Sequence, residues 1–174
     1  MNLLTSLRIR AHVYQWRLTW NKRDLHYPVP VKDNPKFKTA WDAVQMIPDG
    51  SVIACSGMGG NQRCSLLYWA IRDSFEATGH PRDLTILTVG GQGGRGRVPG
   101  TLEELALPGL NTRMITAHTE TFKAQHRLAR DGHLELQCSL IGLMSFMFRE
   151  QAEGRNYLIT ETGIGTFIDP RIGQ

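Results

Sequence analysis

A chain of 174 residues with 41% hydrophobic and 21% charged positions has ordinary globular composition, enough for one domain with a real core. Its net charge of +4 comes from arginines and lysines that are not gathered in one block, so nucleic-acid binding is not implied and anionic ligands are the milder reading. Three cysteines, Cys55, Cys64 and Cys138, form no C-x-x-C pair and have no clustered histidines beside them, which argues against a zinc site and a disulfide framework, and no apolar stretch reaches transmembrane length.

The opening residues carry Arg8, Arg10, Arg17, Lys22 and Arg23 with no acid before Asp24, as a mitochondrial transit peptide does. Sparse Ser and Thr and two tryptophans favour a loosely packed extension instead. Residues 1–28 are therefore set apart as a basic leader or extension, and residues 29–174 as the domain proper. Free thiols in apolar runs, at Cys55 and Cys138, fit burial in a reducing compartment. That compartment is the cytoplasm, with the mitochondrial matrix as the alternative if the leader is a signal.

A Pro-spaced linker, YPVPVKDNPKF, leads into the body. Thr39 to Ile47 is predicted as a short helix, with Thr39 and Asp42 spaced as a capping box, and Pro48-Asp49-Gly50 ends it. Ser51 to Ser56 is a continuous run of small and β-branched residues, as in a strand buried on both faces. Gly57-Met58-Gly59-Gly60 follows, and from Gln62 to about Glu76 the residues Leu66, Leu67, Ala70, Ile71 and Phe75 recur at helical spacing. Gly79 and Pro81 close that helix. Leu84 to Val89 is a second buried-type strand, and Gly90 to Gly100 a glycine-rich loop. Further elements are a strand over Arg113–Ala117, a helix over Thr121–Arg130 and a short strand over Leu134–Gln137. Leu140–Gln151 reads as a helix apolar almost all round and hence deeply packed, and Tyr157–Thr160 as a last strand. Strands alternating with helices predict an α/β fold, an open, mostly parallel sheet with helices on both faces.

Glycines at the first strand-to-helix turn let a ligand approach the backbone, where the helix start offers free N–H groups. A dinucleotide fingerprint would need glycine at position 62, which is Gln62, and an acid after the second strand, which is Gly90. A turn with no ligand is the plain alternative. In the second loop, Gly93 and Gly94 with Arg95 and Arg97 could contact an anion through a nest of N–H groups and two guanidiniums. The alternative is a flexible surface loop with solvated arginines, and the Lys-Ser/Thr of a Walker A sequence is lacking. His118, His126 and His133 lack metal-ligand spacing, Glu103-Glu104 opens a short helix where acids suit the dipole, and Glu120 and Glu161 precede turns. Composition and spacing alone reach an α/β domain with anion-binding glycine loops, and no catalytic or metal residue.

Taken in order, the segments resemble the propionate CoA-transferase group of family I acyl-CoA:carboxylate CoA-transferases, in its amino-terminal portion. The resemblance rests on Lys38-Thr39-Ala40-Trp41-Asp42-Ala43-Val44, on Ile47-Pro48-Asp49-Gly50, and on Gly57-Met58-Gly59-Gly60. It continues through His80-Pro81-Arg82-Asp83-Leu84-Thr85 to Gly163-Ile164-Gly165-Thr166-Phe167-Ile168-Asp169-Pro170-Arg171, similar to a G-L/I-G-T-F-V-D-P-R signature. It implies a three-layer, Rossmann-like fold and transfer of CoA from an acyl-CoA to a short-chain carboxylic acid, through a glutamyl-CoA intermediate. It further implies Gly57, Met58, Gly59 and Gly60 as the oxyanion wall, a CoA thioester as substrate with no permanently bound cofactor, and a homo-oligomer or a second CoA-transferase half as partner, with no nucleic acid and no membrane.

Two departures stand out. The family's nucleophilic glutamate lies in an E-x-G-type motif of the second half of a longer chain, and no segment here matches it, so none of Glu103, Glu120 or Glu161 takes that role by alignment. The family's P-Q-G motif, whose glutamine helps hold the oxyanion, corresponds to Leu140-Ile141-Gly142. Isoleucine cannot donate a hydrogen bond, and loss of one such donor costs roughly 3 kcal/mol of transition-state stabilisation. A non-catalytic, truncated remnant and an acyl-CoA hydrolase are the competing expectations.

Overall fold

The computed structural model describes residues 2–19, 22–31, 33–57, 63–169 and 171–172, with the backbone alone for Trp16 and Arg17. Four strands form one fully parallel sheet in the order β1 (Val52–Cys55), β2 (Leu84–Thr88), β3 (Asn111–Thr116) and β4 (Glu135–Cys138). Strands added in sequence order with right-handed crossovers place their connections on one face. That face carries α2 (Ala40–Val44), α3 (Ser65–Thr78), a 3-10 turn over Leu102–Leu105, and α4 (Lys123–Arg130).

Alternation along the strands separates two environments. Ile53, Ile86, Met114 and Leu136 stand in register across the sheet and pack with Val44, Tyr68, Ile71, Leu102, Leu105 and Phe122 in the main core. Ala54, Leu87, Ile115 and Gln137 occupy the opposite face in the next register position. There α5 (Ile141–Ala152) covers the sheet only in part. The helix is not deeply packed as its composition predicts: Met144 is its one buried residue, while Ile141, Phe146 and Met147 remain about half exposed. The predicted strand over Tyr157–Thr160 is also absent. No neighbour supplies a ladder there, and Ile159 is 88% exposed.

Local signals account for several boundaries. Asp42 donates its backbone N–H to Thr39 Oγ1 at 3.0 Å, and the Thr39 hydroxyl donates in turn to Asp42 Oδ2 at 2.7 Å, so α2 starts where its sequence says. Gly79 ends α3 at φ 75°, a left-handed conformation that favours glycine, with its N–H on Phe75 O. Thr121 and Phe122, predicted helical, belong instead to the 3-10 turn Thr119–Thr121 and the cap of α4.

The leader forms α1 (Leu3–Thr19), whose first turn is capped by Asn2 Oδ1 accepting from Thr5 N at 3.0 Å. Leu3, Leu4, Leu7, Tyr14 and Leu18 are all exposed on it. Packing of the body reaches back into the leader segment as far as Arg23. Its guanidinium forks onto Asp73 at 2.6 to 3.2 Å and lies 5.1 Å from the Trp69 ring, while Leu25 joins the core. No described helix is long and apolar enough to cross a membrane.

Candidate functional site

A cleft of about 520 Å³ opens at the carboxyl ends of β1 and β2, where parallel α/β sheets place their ligands. One wall is Cys55, Ser56 and Gly57, a second is Val89 and Gly90, and the roof is Ile141, Ser145 and Phe148 from α5. Gly57 turns the chain out of β1 at φ 118°, a conformation that side chains rarely adopt. Met58, Gly59 and Gly60, the rest of the expected oxyanion wall, lie outside the described residues.

Behind the cleft, Gln92 ties the two strand ends together. Fully buried, it donates from Nε2 to Cys55 O at 3.2 Å and to Thr88 Oγ1 at 3.1 Å, and its Oε1 accepts from the Tyr68 hydroxyl. The Thr88 hydroxyl donates to Gly90 O at 2.9 Å, closing the network. Burial pushes the Cys55 thiol up to about 11, with the neighbouring Tyr68 hydroxyl opposing the shift, and burial likewise raises the Tyr68 phenol. Both groups therefore keep their protons at neutral pH, so neither offers an anionic nucleophile. Sequence reasoning missed Gln92 and Tyr68; the one legible signal is a lone amide side chain among four glycines, Gly90-Gly91-Gln92-Gly93-Gly94.

The glycine-rich loop does hold an anion, but an internal one. Glu103, 2% exposed, accepts backbone N–H bonds from Gly94 at 2.8 Å, from Gly96 at 3.0 Å and from Ala124, in the first turn of α4, at 2.8 Å. The donors that a nest would offer to phosphate or carboxylate are spent on this side chain. Gly94 and Gly93 sit too close to their neighbours for any other residue, since an added Cβ would lie 2.0 Å from Arg97 O and 2.1 Å from Thr121 O respectively. The loop is thus packed rather than free: Gly91, Gln92 and Gly100 are buried, while Arg95 and Arg97 project to solvent. Arg95 meets Glu120 at 3.2 Å, with both side chains exposed.

Glu104, also buried, accepts from Trp69 Nε1 at 2.7 Å, Gly100 N at 2.9 Å and the Arg72 guanidinium at 2.7 Å. The two acids read as helix-start residues are therefore the internal anchors of the loop. Neither they nor exposed Glu120 and Glu161 line the cleft. His126 contacts Thr119 O, His118 lies beside Gly91 and Glu120, and no metal-holding cluster of His, Cys, Asp or Glu occurs among the described residues. Ile141, at the start of α5, lines the cleft.

The Gly163–Arg171 signature folds on itself around Asp169. Its carboxylate accepts from Arg171 Nε at 2.8 Å, from Gly165 N at 2.9 Å and from Arg171 N at 3.1 Å. The Arg171 guanidinium, then the two backbone donors, hold this carboxyl far below the usual range. Pro170 lies outside the described residues.

No protein-family model matches the chain. It is 38% identical over 137 residues to caffeate CoA-transferase of Acetobacterium woodii, covering 79% of this chain and 26% of that protein. It is 29% identical over 134 residues to acetate CoA-transferase YdiF of Escherichia coli strain K12, covering 76% and 25%. The acyl-CoA transferase YdiF of E. coli O157:H7, solved as a thioester complex with CoA, superposes with a TM-score of 0.71 at 29% identity over 77% of this chain and 27% of that one. The apoenzyme of the same protein gives a TM-score of 0.71 over 82% and 26%. The chain thus spans about a quarter of the length of the curated relatives it matches.

Proposed function

Because the chain is related to the CoA-transferases over the quarter of their length that it spans, we propose that it forms the amino-terminal part of an acyl-CoA:carboxylate CoA-transferase. The observation that carries this reading is the cleft at the strand ends, walled by Gly57 and Gly90 and lined by no carboxylate among the described residues. Its role is to bind and polarise: backbone N–H groups of the Gly57–Gly60 segment would stabilise the oxyanion of an attacked carbonyl. The nucleophile is a glutamate from a second polypeptide segment. That carboxylate attacks the acyl-CoA carbonyl and expels the CoA thiolate, leaving a mixed anhydride. The thiolate then attacks the glutamyl carbonyl, which releases the first carboxylic acid and leaves glutamyl-CoA; an acceptor carboxylate reverses both steps.

The substrates in this reading are a CoA thioester and a short-chain carboxylate, in the cytoplasm, with a second copy or a second transferase half as partner. The names of the relatives point to acetate and caffeate as acids handled by those proteins. Ile141 on the cleft favours a second reading, a domain that binds acyl-CoA without turning it over, because a hydrocarbon stands where a donor would. A CoA-transfer assay separates the two. The purified chain is incubated with acetyl-CoA or propionyl-CoA and a panel of carboxylates, alone and with a polypeptide carrying the E-x-G segment. Turnover only in the mixture supports the transferase, and binding without turnover in either supports the second reading. Turnover by the chain alone removes the assignment of the nucleophile, and CoA release without an acceptor acid indicates a hydrolase.

A further inference from the structure

Beneath α5 lies a second cavity, about 230 Å³, built on the half-covered face of the sheet. Leu87 and Ile115, register partners on β2 and β3, form its floor, and Met144, Met147 and Phe148 form its roof. Its two charged lining groups are paired: the Arg155 guanidinium donates to Glu150, and also to Glu153. The Arg155 guanidinium in turn holds the Glu150 carboxyl below its ordinary value. The lining is therefore largely apolar, with its Glu150 and Arg155 charges paired, which suits an uncharged hydrocarbon group.

This cavity adjoins the cleft. Along β2, Leu87 belongs to the cavity, and Val89 and Gly90 just beyond it belong to the cleft. On α5, Ile141, Ser145 and Phe148 face the cleft at helical spacing, whereas Met144, Met147, Phe148 and Gln151 face the cavity. Among the described residues Phe148 alone lines both, so its ring stands between the glycine-walled opening and the chamber. The chamber exceeds the ~150 Å³ apolar cavities that take up benzene, so a six-carbon group fits.

We propose that the chamber receives the hydrocarbon end of the acyl or carboxylate group held in the cleft, and that Phe148 is the specificity-determining residue that limits its length. The proposal rests on the transferase reading and extends it to the substrate's apolar part. A two-carbon acyl group stays within the cleft. A longer chain must displace the Phe148 ring to reach Leu87 and Ile115.

The test is calorimetric binding of acetyl-CoA and hexanoyl-CoA to the full chain, wild type, Phe148→Ala and Met147→Trp. Met147 is partly exposed, so its replacement fills the chamber with little risk to folding. The ratio of hexanoyl-CoA to acetyl-CoA affinity should rise about tenfold or more in Phe148→Ala, because the chamber then opens to the cleft, and fall in Met147→Trp. Equal ratios, within about twofold, in all three proteins overturn the proposal. If Phe148→Ala does not fold, Met147→Trp decides alone, an unchanged ratio overturning the proposal. If wild type binds neither thioester, the CoA reading itself fails. Sodium hexanoate then probes the chamber by methyl NMR: a shift of the Met144 methyl that Met147→Trp abolishes upholds an apolar-ligand chamber, and no shift overturns it.

Discussion

Replacing Glu103 with alanine removes a carboxylate that three backbone N–H groups share, those of Gly94, Gly96 and Ala124. Each orphaned donor costs about 1–3 kcal/mol when water cannot reach it. Gly96 is exposed and can be rehydrated, while Gly94 and Ala124 are half-buried, so the expected loss is about 3–5 kcal/mol, cavity included. Against a typical total of about 5–15 kcal/mol, that leaves a marginal fold. With a urea dependence of about 2 kcal/mol per molar, the unfolding midpoint should fall by roughly 2 M. Far-UV circular dichroism in urea reads it directly. Glu103→Gln retains one acceptor oxygen and should fall between wild type and alanine. Glu120→Ala, which removes only an exposed partner of Arg95, should stay within about 0.5 kcal/mol of wild type. A Glu103→Ala midpoint close to that of wild type, or no lower than that of Glu120→Ala, would refute the assignment of Glu103 as the loop's anchor.

Three further outcomes are expected. Cys64 is exposed, whereas burial raises the Cys55 thiol from 9.0 to about 11, so iodoacetamide should label Cys64 first and Cys55 only as pH climbs toward the higher value. Below 9.0 both folded and unfolded chains hold that proton; between 9.0 and about 11 only the unfolded chain releases it, so stability should fall with rising pH there. Equal labelling rates for the two thiols near neutral pH would contradict the burial. Exposed Phe146, Met147, Tyr157, Ile159 and Phe167, on and after α5, should drive self-association at micromolar concentration, and Phe146→Asp should weaken it. A clean monomer by light scattering would count against this.

Periodicity and punctuation were sufficient for most of the scaffold. Four strands, the helices between them and the glycine stop at Gly79 were legible because each depends on neighbours within a few residues. The parallel sheet followed because strands separated by helical crossovers have few other solutions. The glycine turn at Gly57 was likewise legible as an opening at the end of β1, and Gly57 does line the cleft there.

What failed was every inference that needed to know the partner of a surface. The apolar residues of α5 predict burial, yet the extent of burial depends on how much protein lies over the opposite face of the sheet, a non-local quantity. Tyr157–Thr160 has strand composition, but a strand exists only where an adjacent chain offers donors and acceptors. Gly93 and Gly94 with Arg95 and Arg97 could be read as an anion contact; that the loop's N–H groups at Gly94 and Gly96 go instead to Glu103, a few residues further along the same chain, depends on the loop folding back over the start of α4. The sequence by itself determined the elements and the chemical character of the glycine loops, because both are set by local backbone and side-chain chemistry. Only the tertiary structure decided which carboxylates are spent internally and that Phe148 lines both the cleft and the cavity beside it, because both depend on packing between segments distant in sequence.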